Sequence, residues 1–358
     1  MAFVSSFAPA FSRSAPGSAV CSRRSQVVSG PRMTATQLTQ YDALRAVTTI
    51  VEDTGEIETI RAHRPHSATT NPSLVASAAT KPEYEHLLHE AVQYGRQNSI
   101  AGTDTLAIVR NKLFTLFGAE ILKYVPGDVS TEVDARLSFD VPAQVEVAQQ
   151  LIKMYEEVGV ARERVLIKLA TTWEGIQACR QLEKMGIKTN MTLLFSMPQA
   201  VAAAEAGAYL ISPFVGRILD WYKKAEGVDS YPAHEDPGVK SVKQIYNYYK
   251  CMGHDTIVMG ASFRNKGEIL ELAGCDRLTI APKFINSLKD TPESVERKLD
   301  TPSVEECGLI PRLNLGENDF RWMMNENAMA TEKLAQGIRG FARDLEKLDR
   351  QLQALLDA

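Results

Sequence analysis

Eight short runs rich in valine, isoleucine, leucine and threonine, set between longer stretches of helical spacing, constrain this chain more than any other feature. They are "TTIVED" (48–53), "SATTN" (67–71), "EILKYVP" (120–126), "VLIKLA" (165–170), "TNMTLLF" (189–195), "AYLISPF" (208–214), "TIVMGASF" (256–263) and "DRLTIAP" (276–282). Strands that alternate with helices belong in a parallel sheet, because each parallel pairing needs a crossover to return the chain to the same edge. Crossover candidates include residues 142–158, "WEGIQACRQLEKMG" (173–186), "MPQAVAAAEAG" (197–207) and "KSVKQIYNYYKCMG" (240–253). Several end on glycine, the usual residue past a helix terminus. Eight such units predict a closed α/β (β/α)8 barrel of the TIM type. A chain of 358 residues with 44% apolar content has the length and the core for it.

Two regions fall outside the repeat. "KKAEGVDSYPAHEDPGVKS" (223–241) has the proline, glycine and charge of an excursion loop, and residues 316–358 read as extra C-terminal helices. The last of these, "TEKLAQGIRGFARDLEKLDRQLQALLDA", has apolar residues at helical spacing. It needs a surface to cover, on the barrel or on a second subunit.

The first 32 residues differ in kind. They are rich in serine and alanine, carry Arg13, Arg23, Arg24 and Arg32, and contain no acid, the first being Asp42. This is the composition of an organelle transit peptide, since serine, proline and arginine interrupt every apolar block that a secretory signal would need. The hydroxylated "MAFVSSF" start favours the plastid (chloroplast) stroma, with the mitochondrion or cytoplasm as alternatives. A single barrel domain is then expected over 33–358.

Charge and composition exclude several classes. A net charge of -4 and a pI near 6.0 lack the basic stripe of nucleic-acid binders. No apolar run approaches the roughly 20 residues that span a bilayer. Cys21, Cys179, Cys251, Cys275 and Cys307 show no ligand-like spacing and read as reduced thiols, mostly in the core. His63 and His66 flank a proline, and His86 and His89 lie in a polar helical stretch, so no metal site is expected. The expected partner is a small molecule.

Barrel enzymes gather their chemistry at the carboxyl ends of the strands. Polar residues collect there: Asp53 closes the first strand, Asn71 the second, and Ser130 and Glu132 follow the third. Lys168 lies in the fourth, Asn190 and Thr192 in the fifth, Ser212 and Arg217 at the sixth, and Ser262 and Arg264 at the seventh. Alternation puts Lys168 on one face with Leu166 and Ala170, and a capping box read at Thr171–Glu174 places it within about three residues of the strand's end. An ammonium in a desolvated pocket loses its preference for the charged form, and free amine attacks carbonyls. A lysine snorkelling to solvent is the ordinary alternative. Asp53 and Glu132 supply carboxylates for acid–base work, while Thr192 suits a proton-carrying water. Arg217 and Arg264 present paired donors suited to a phosphate, joined by the Ser262 hydroxyl.

These residues sit in long motifs: "ATTNPSLV", "VPGDVSTEVDARLS", "VLIKLATTWEGI", "NMTLLFS", "LISPFVGRILDWYK" and "VMGASFRNKGEILELAGCDRLTIAP". The chain resembles the transaldolases over nearly everything after the leader. The resemblance implies a homodimeric (β/α)8 barrel that moves a dihydroxyacetone unit through a lysine imine, with no metal or organic cofactor. Sedoheptulose 7-phosphate and glyceraldehyde 3-phosphate would give erythrose 4-phosphate and fructose 6-phosphate. Carried over, Lys168 is the nucleophile, Asp53 the acid–base group for the cleaved bond, and Glu132 with Thr192 the handlers of water. Asn71, Ser130, Asn190, Ser212 and Phe214 line the substrate, and Arg217, Ser262 and Arg264 hold phosphate.

Two positions depart from the family pattern, Ser67 for an aspartate and Thr171 in "LATT" for "LAST". The change at Ser67 is expected to bear on the loop near Asn71. Two rival readings are a fructose 6-phosphate aldolase, which would release dihydroxyacetone to water, and a non-catalytic barrel kept as a scaffold. The aldolases similar to this chain carry tyrosine at the place of Phe214 and glutamine at that of Glu132, so Phe214 favours transfer. Retention of Lys168, Asp53 and Glu132 argues against a scaffold.

Overall fold

The computed structural model describes residues 38–100, 102 and 104–358. The expected transit peptide and Cys21 lie outside the described residues. Eight strands form a closed parallel barrel: β1 (Thr49–Asp53), β2 (Ser67–Thr69), β3 (Val129–Glu132), β4 (Val165–Ala170), β5 (Thr189–Leu194), β6 (Leu210–Pro213), β7 (Ile257–Gly260) and β8 (Arg277–Ile280). Each pairs with the next, and β8 returns to β1 through Thr49–Arg277 to Glu52–Ile280.

Alternation divides the core in two. Val51, Leu166, Leu210 and Met259 make a small cluster inside the barrel. Val165, Ile167 and Leu169 point outward into the main core, against the surrounding helices. The amino end of the interior is closed by Arg277, which donates to Asp128 at 2.9 Å with both residues buried. The carboxyl end is left for polar groups.

Several sequence expectations need correction. The third strand is not residues 120–126: Glu120–Leu122 complete a helix, Thr105–Leu122, capped by Asp104 and buried on most of its surface. An apolar run inside a buried helix has no face to distinguish it from a strand. The real strand, "VSTE", looks polar because Ser130 and Glu132 point into the barrel mouth. Ser130 and Glu132 therefore belong to β3 and do not follow it.

The helix Trp173–Lys184 is capped by Thr172, whose hydroxyl accepts from the Gly175 amide at 2.8 Å. Thr171 instead donates to the Thr192 carbonyl at 2.6 Å, and Glu174 pairs with Arg321. The cysteines are also not all reduced. Cys251, in the last turn of the helix Pro237–Met252, is disulfide-bonded to Cys307 in the short helix Val304–Gly308. Cys179 and Cys275 are free and buried, and burial pushes both thiols up to about 12.

Ser67 opens β2, so it sits at the opposite end of that strand from Asn71. Its hydroxyl accepts from the Asp128 amide at 3.1 Å and bonds His66 at 2.9 Å, tying β2 to the start of β3. The expected helix of residues 240–253 begins earlier, at Pro237, so that only residues 227–236 form the excursion.

The C-terminal helix, Ala328–Asp357, is 30 residues long. It buries Ile338, Phe341, Leu345, Leu348 and Leu352 and packs on β5, the helices Pro72–Ala78 and Val215–Glu226 and the turn Ala135–Leu137. Its apolar stripe is thus satisfied by the chain's own barrel. No helix among the described residues is long and apolar enough to cross a membrane.

Candidate active site

A narrow cleft opens at the carboxyl ends of the strands. Asp53, Asn71, Lys168, Ser212, Phe214, Arg217 and Ser262 line it. Residues scattered over 210 positions meet there because each lies near the carboxyl end of a strand or in the turn or first helical turn that follows it. A larger cleft on the barrel flank is lined by Arg110, Asp134, Arg136 and Asp349, whose charges are already paired with each other.

Lys168 is 4% exposed. Its Nζ donates to the Thr70 carbonyl at 3.2 Å and lies 3.1 Å from Glu132 Oε2. The register explains the pairing, since Glu132 is the cross-strand partner of Lys168 on β3 and Asn190 its partner on β5. Glu132 has no other ion-pair or hydrogen-bond partner among the described residues. Burial raises its pKa above the ordinary carboxylate range, with the Lys168 charge pulling the other way. Asp53 is raised for the same first reason, opposed by Lys168, by a 3.3 Å hydrogen bond from Thr69 and by Arg217. An amine that pairs with one carboxyl and shares its cleft with another, both with pKa raised by burial, is suited to bonds that form and break with proton transfer.

Beneath this pair runs a fixed polar chain. Ser212 donates to Asn190 Oδ1 at 2.6 Å, and Asn190 Nδ2 donates to Ser130 Oγ at 3.0 Å. Ser130 thereby orients Asn190 from below and does not line the cleft. The Thr192 hydroxyl is buried and makes no hydrogen bond among the described residues, which leaves it able to hold a water. Asn71 caps the helix Pro72–Ala78 through Oδ1, accepting from Leu74 at 2.9 Å, and its Nδ2 makes no hydrogen bond among the described residues.

The other end of the cleft is cationic. Arg217, in the first turn of the helix Val215–Glu226, makes no hydrogen bond or ion pair with any described residue, and its guanidinium sits between the rings of Phe214 (4.7 Å) and Phe341 (5.4 Å). Burial lowers its pKa and Arg264 adds to the effect. Arg264 lies just outside the cleft lining, where Asp220 holds its Nε and Nη2 and Ser262 accepts from its Nη1 at 3.4 Å. Ser262 has φ 62°, a left-handed conformation rare for serine.

Sequence reasoning missed four contributors. Thr69 bonds both Asp53 and, at 2.8 Å, Thr279, so a threonine pair props the carboxylate. The signal was available, because Thr69 is the register partner of Asp53. Thr70 contributes only a carbonyl. Phe341 places its ring 5.9 Å from Lys168 Nζ, and nothing in its helical context marks it.

The sequence profile of the Transaldolase/Fructose-6-phosphate aldolase family matches residues 50–352. The chain belongs to this family. It is 56% identical over 314 residues to the transaldolase of Protochlamydia amoebophila, covering 88% of this chain and 97% of that protein. It is 54% identical over 319 residues to the transaldolase of Alteromonas mediterranea (89% and 99%), and 54% over 314 residues to transaldolase A of Pasteurella multocida (88% and 98%).

Proposed function

We propose that this chain is a transaldolase, a transferase that carries dihydroxyacetone between sugar phosphates on Lys168. The observation that carries the reading is one buried amine 3.1 Å from Glu132, in a cleft that also holds Asp53 and an unpaired guanidinium. The amine attacks C2 of sedoheptulose 7-phosphate, and Glu132 with a water on Thr192 moves the protons as the carbinolamine loses water. The imine then accepts the electron pair of the C3–C4 bond while Asp53 takes the C4 hydroxyl proton, releasing erythrose 4-phosphate. The enamine left behind attacks the aldehyde carbon of glyceraldehyde 3-phosphate, Asp53 returns its proton to the new hydroxyl, and hydrolysis frees fructose 6-phosphate. Asn71, Asn190 and Ser212 hold the three-carbon unit, with Ser130 behind them. Arg217, Ser262 and Arg264 face the phosphate.

No step calls for a metal or organic cofactor. Borohydride reduction with fructose 6-phosphate, followed by peptide mass analysis, is expected to place a three-carbon adduct on Lys168. An adduct on any other residue would refute the assignment.

The fructose 6-phosphate aldolase reading is less favoured because the Phe214 ring offers no hydroxyl to protonate the enamine carbon. Rapid dihydroxyacetone release without an acceptor aldehyde would restore it. Two further proposals rest on sequence. The composition of residues 1–32 supports delivery to the plastid stroma, checked by import into isolated chloroplasts. The family resemblance supports a homodimer, checked by sedimentation equilibrium.

A further inference from the structure

We propose that Lys333, on the C-terminal helix, is a third cation for the substrate's distal phosphate, so that bound phosphate ties this helix down over the barrel mouth. The inference deepens the transaldolase reading and rests on it. Positions 333, 337 and 341 follow one another at four-residue spacing, so they form a single stripe on the helix face. The middle and last members of that stripe already touch the site. A β-carbon at Gly337 would stand 3.3 Å from Arg217 Nη1 and 2.6 Å from a Leu193 methyl, so the absence of a side chain is what lets the helix lie against the guanidinium. Phe341 covers Arg217 and Lys168 one turn further on. The first member, Lys333, therefore lies one turn to the other side of Arg217, towards Arg264.

Its surroundings are those of a cation without an anion. Lys333 is half-buried, and its Nζ donates to Gln336 Oε1 at 3.2 Å on its own helix, with no carboxylate within ion-pair distance among the described residues. Its pKa is held below the ordinary lysine range first by burial; Asp220 opposes this, Arg217 and Arg264 each lower it further by less than Asp220 raises it, and Glu332 opposes least. Of those two acids, Asp220 is occupied by Arg264 at 2.7 Å, and Glu332 accepts from Trp221 at 2.8 Å. Lys333 thus shares the neighbourhood of Arg217 and Arg264, while both nearby carboxylates are already engaged. A phosphate dianion entering beside Arg217 would relieve the repulsion that all three share, and would join β6, β7 and the C-terminal helix through one ligand.

The test compares K333Q and K333R with the wild-type chain. The readouts are KM and kcat with fructose 6-phosphate and with unphosphorylated fructose as donors, and inhibition by inorganic phosphate. Loss of one charge-assisted contact is expected to raise KM for fructose 6-phosphate and the inhibition constant for phosphate by about tenfold or more in K333Q. The change in kcat should be small, the values for fructose should move far less, and K333R should recover most of the loss. An unchanged phosphate inhibition constant in K333Q overturns the inference, as does an equal loss with both donors, which would mean that the substitution disturbs the helix and not phosphate binding. Borohydride trapping in the wild-type chain separates the two levels. Without an adduct on Lys168 the transaldolase reading falls; with an adduct and a K333Q that titrates as wild type, only the role of Lys333 falls.

Discussion

Replacing Asp349 by alanine should loosen the C-terminal helix from its far end. Asp349 belongs to a four-charge cluster with Arg110, Asp134 and Arg136. Arg110 Nη1 donates to Asp349 at 2.8 Å and Nη2 to Asp134 at 3.1 Å, and Arg136 Nη2 reaches Asp134 at 2.6 Å and Asp349 at 3.0 Å. Two guanidiniums and two carboxylates balance. Removing one acid leaves a net positive charge where Arg110 is 7% exposed and its Nε already lacks a partner among the described residues. Breaking a buried pair in this way costs about 3–5 kcal/mol, and the lower end applies because Arg136, at 40% exposure, can turn to water.

With an unfolding entropy of about 2 cal/mol/K per residue over about 320 residues, about 3 kcal/mol lowers Tm by roughly 4–5 °C. Asp349 stands eight residues, about 12 Å along the helix, from Phe341. The loss should therefore also appear as reduced kcat/KM. Thermal melts with steady-state kinetics measure both, and R110M/D349L should recover much of the Tm because no charge is then stranded. A D349A melt within about 1 °C of wild type, or a double variant no more stable than the single one, would refute the reasoning.

Lys168→Met should abolish turnover and borohydride trapping while leaving the melt near wild type, since methionine fills similar volume and Glu132, already shifted towards its protonated form by burial, can take up a proton once the ammonium is gone. Gly337→Ala should raise KM for sugar phosphates, because its methyl group meets Leu193 and Arg217 in steady-state assays of an otherwise folded chain. Glu268, buried beside Asp236, is raised to about 7 from an ordinary 4.5. An acid that binds its proton more tightly when folded contributes stability that is complete below pH 4.5 and lost as pH rises through 7. The loss is on the order of 3 kcal/mol, so E268Q should flatten the fall in urea stability between pH 5 and pH 8. Reducing the Cys251–Cys307 bond, which closes 56 positions, should cost about 4 kcal/mol by loop entropy and lower the urea midpoint.

The barrel was legible because seven strands carry outward-facing apolar residues, and outward packing obeys simple alternation. The eighth shows where that fails: β3 presents Ser130 and Glu132 inward, so the chemistry displaced the pattern used to find strands, and the neighbouring buried helix took its place. Most mouth residues were readable for a related reason, since a polar side chain at the end of an apolar strand has few structural uses. Phe341 and Lys333 were not, because each satisfies ordinary helical periodicity and gains its meaning only from the barrel end it covers. The disulfide escaped because it joins surface segments, a helix end and a short turn of helix, that no local spacing relates.

Two residues with positive φ, Leu193 (buried) and Ser262 (half-buried), lie near the cationic end of the cleft. Leu193 (φ 54°) lies where the β5–β6 register shifts, and Ser262 (φ 62°) follows β7. Each such conformation costs on the order of 1–3 kcal/mol and persists only where its surroundings impose it. They do so here: Gln199 holds the Leu193 carbonyl at 3.1 Å, and the Gly216 amide and Arg264 Nη1 both donate to the Ser262 carbonyl. The effect is to turn the Leu193 side chain outward against Gly337 and to bring the Ser262 hydroxyl beside Arg264. Strain is thus stored where the barrel meets the C-terminal helix and the cationic end of the cleft, while the lysine end is built from unstrained strand register. The amine and its two carboxyls are positioned by the sheet itself. The cationic end depends on strained turns and a helix held by side chains, and substitutions there should act on substrate affinity before they act on the bond-breaking step.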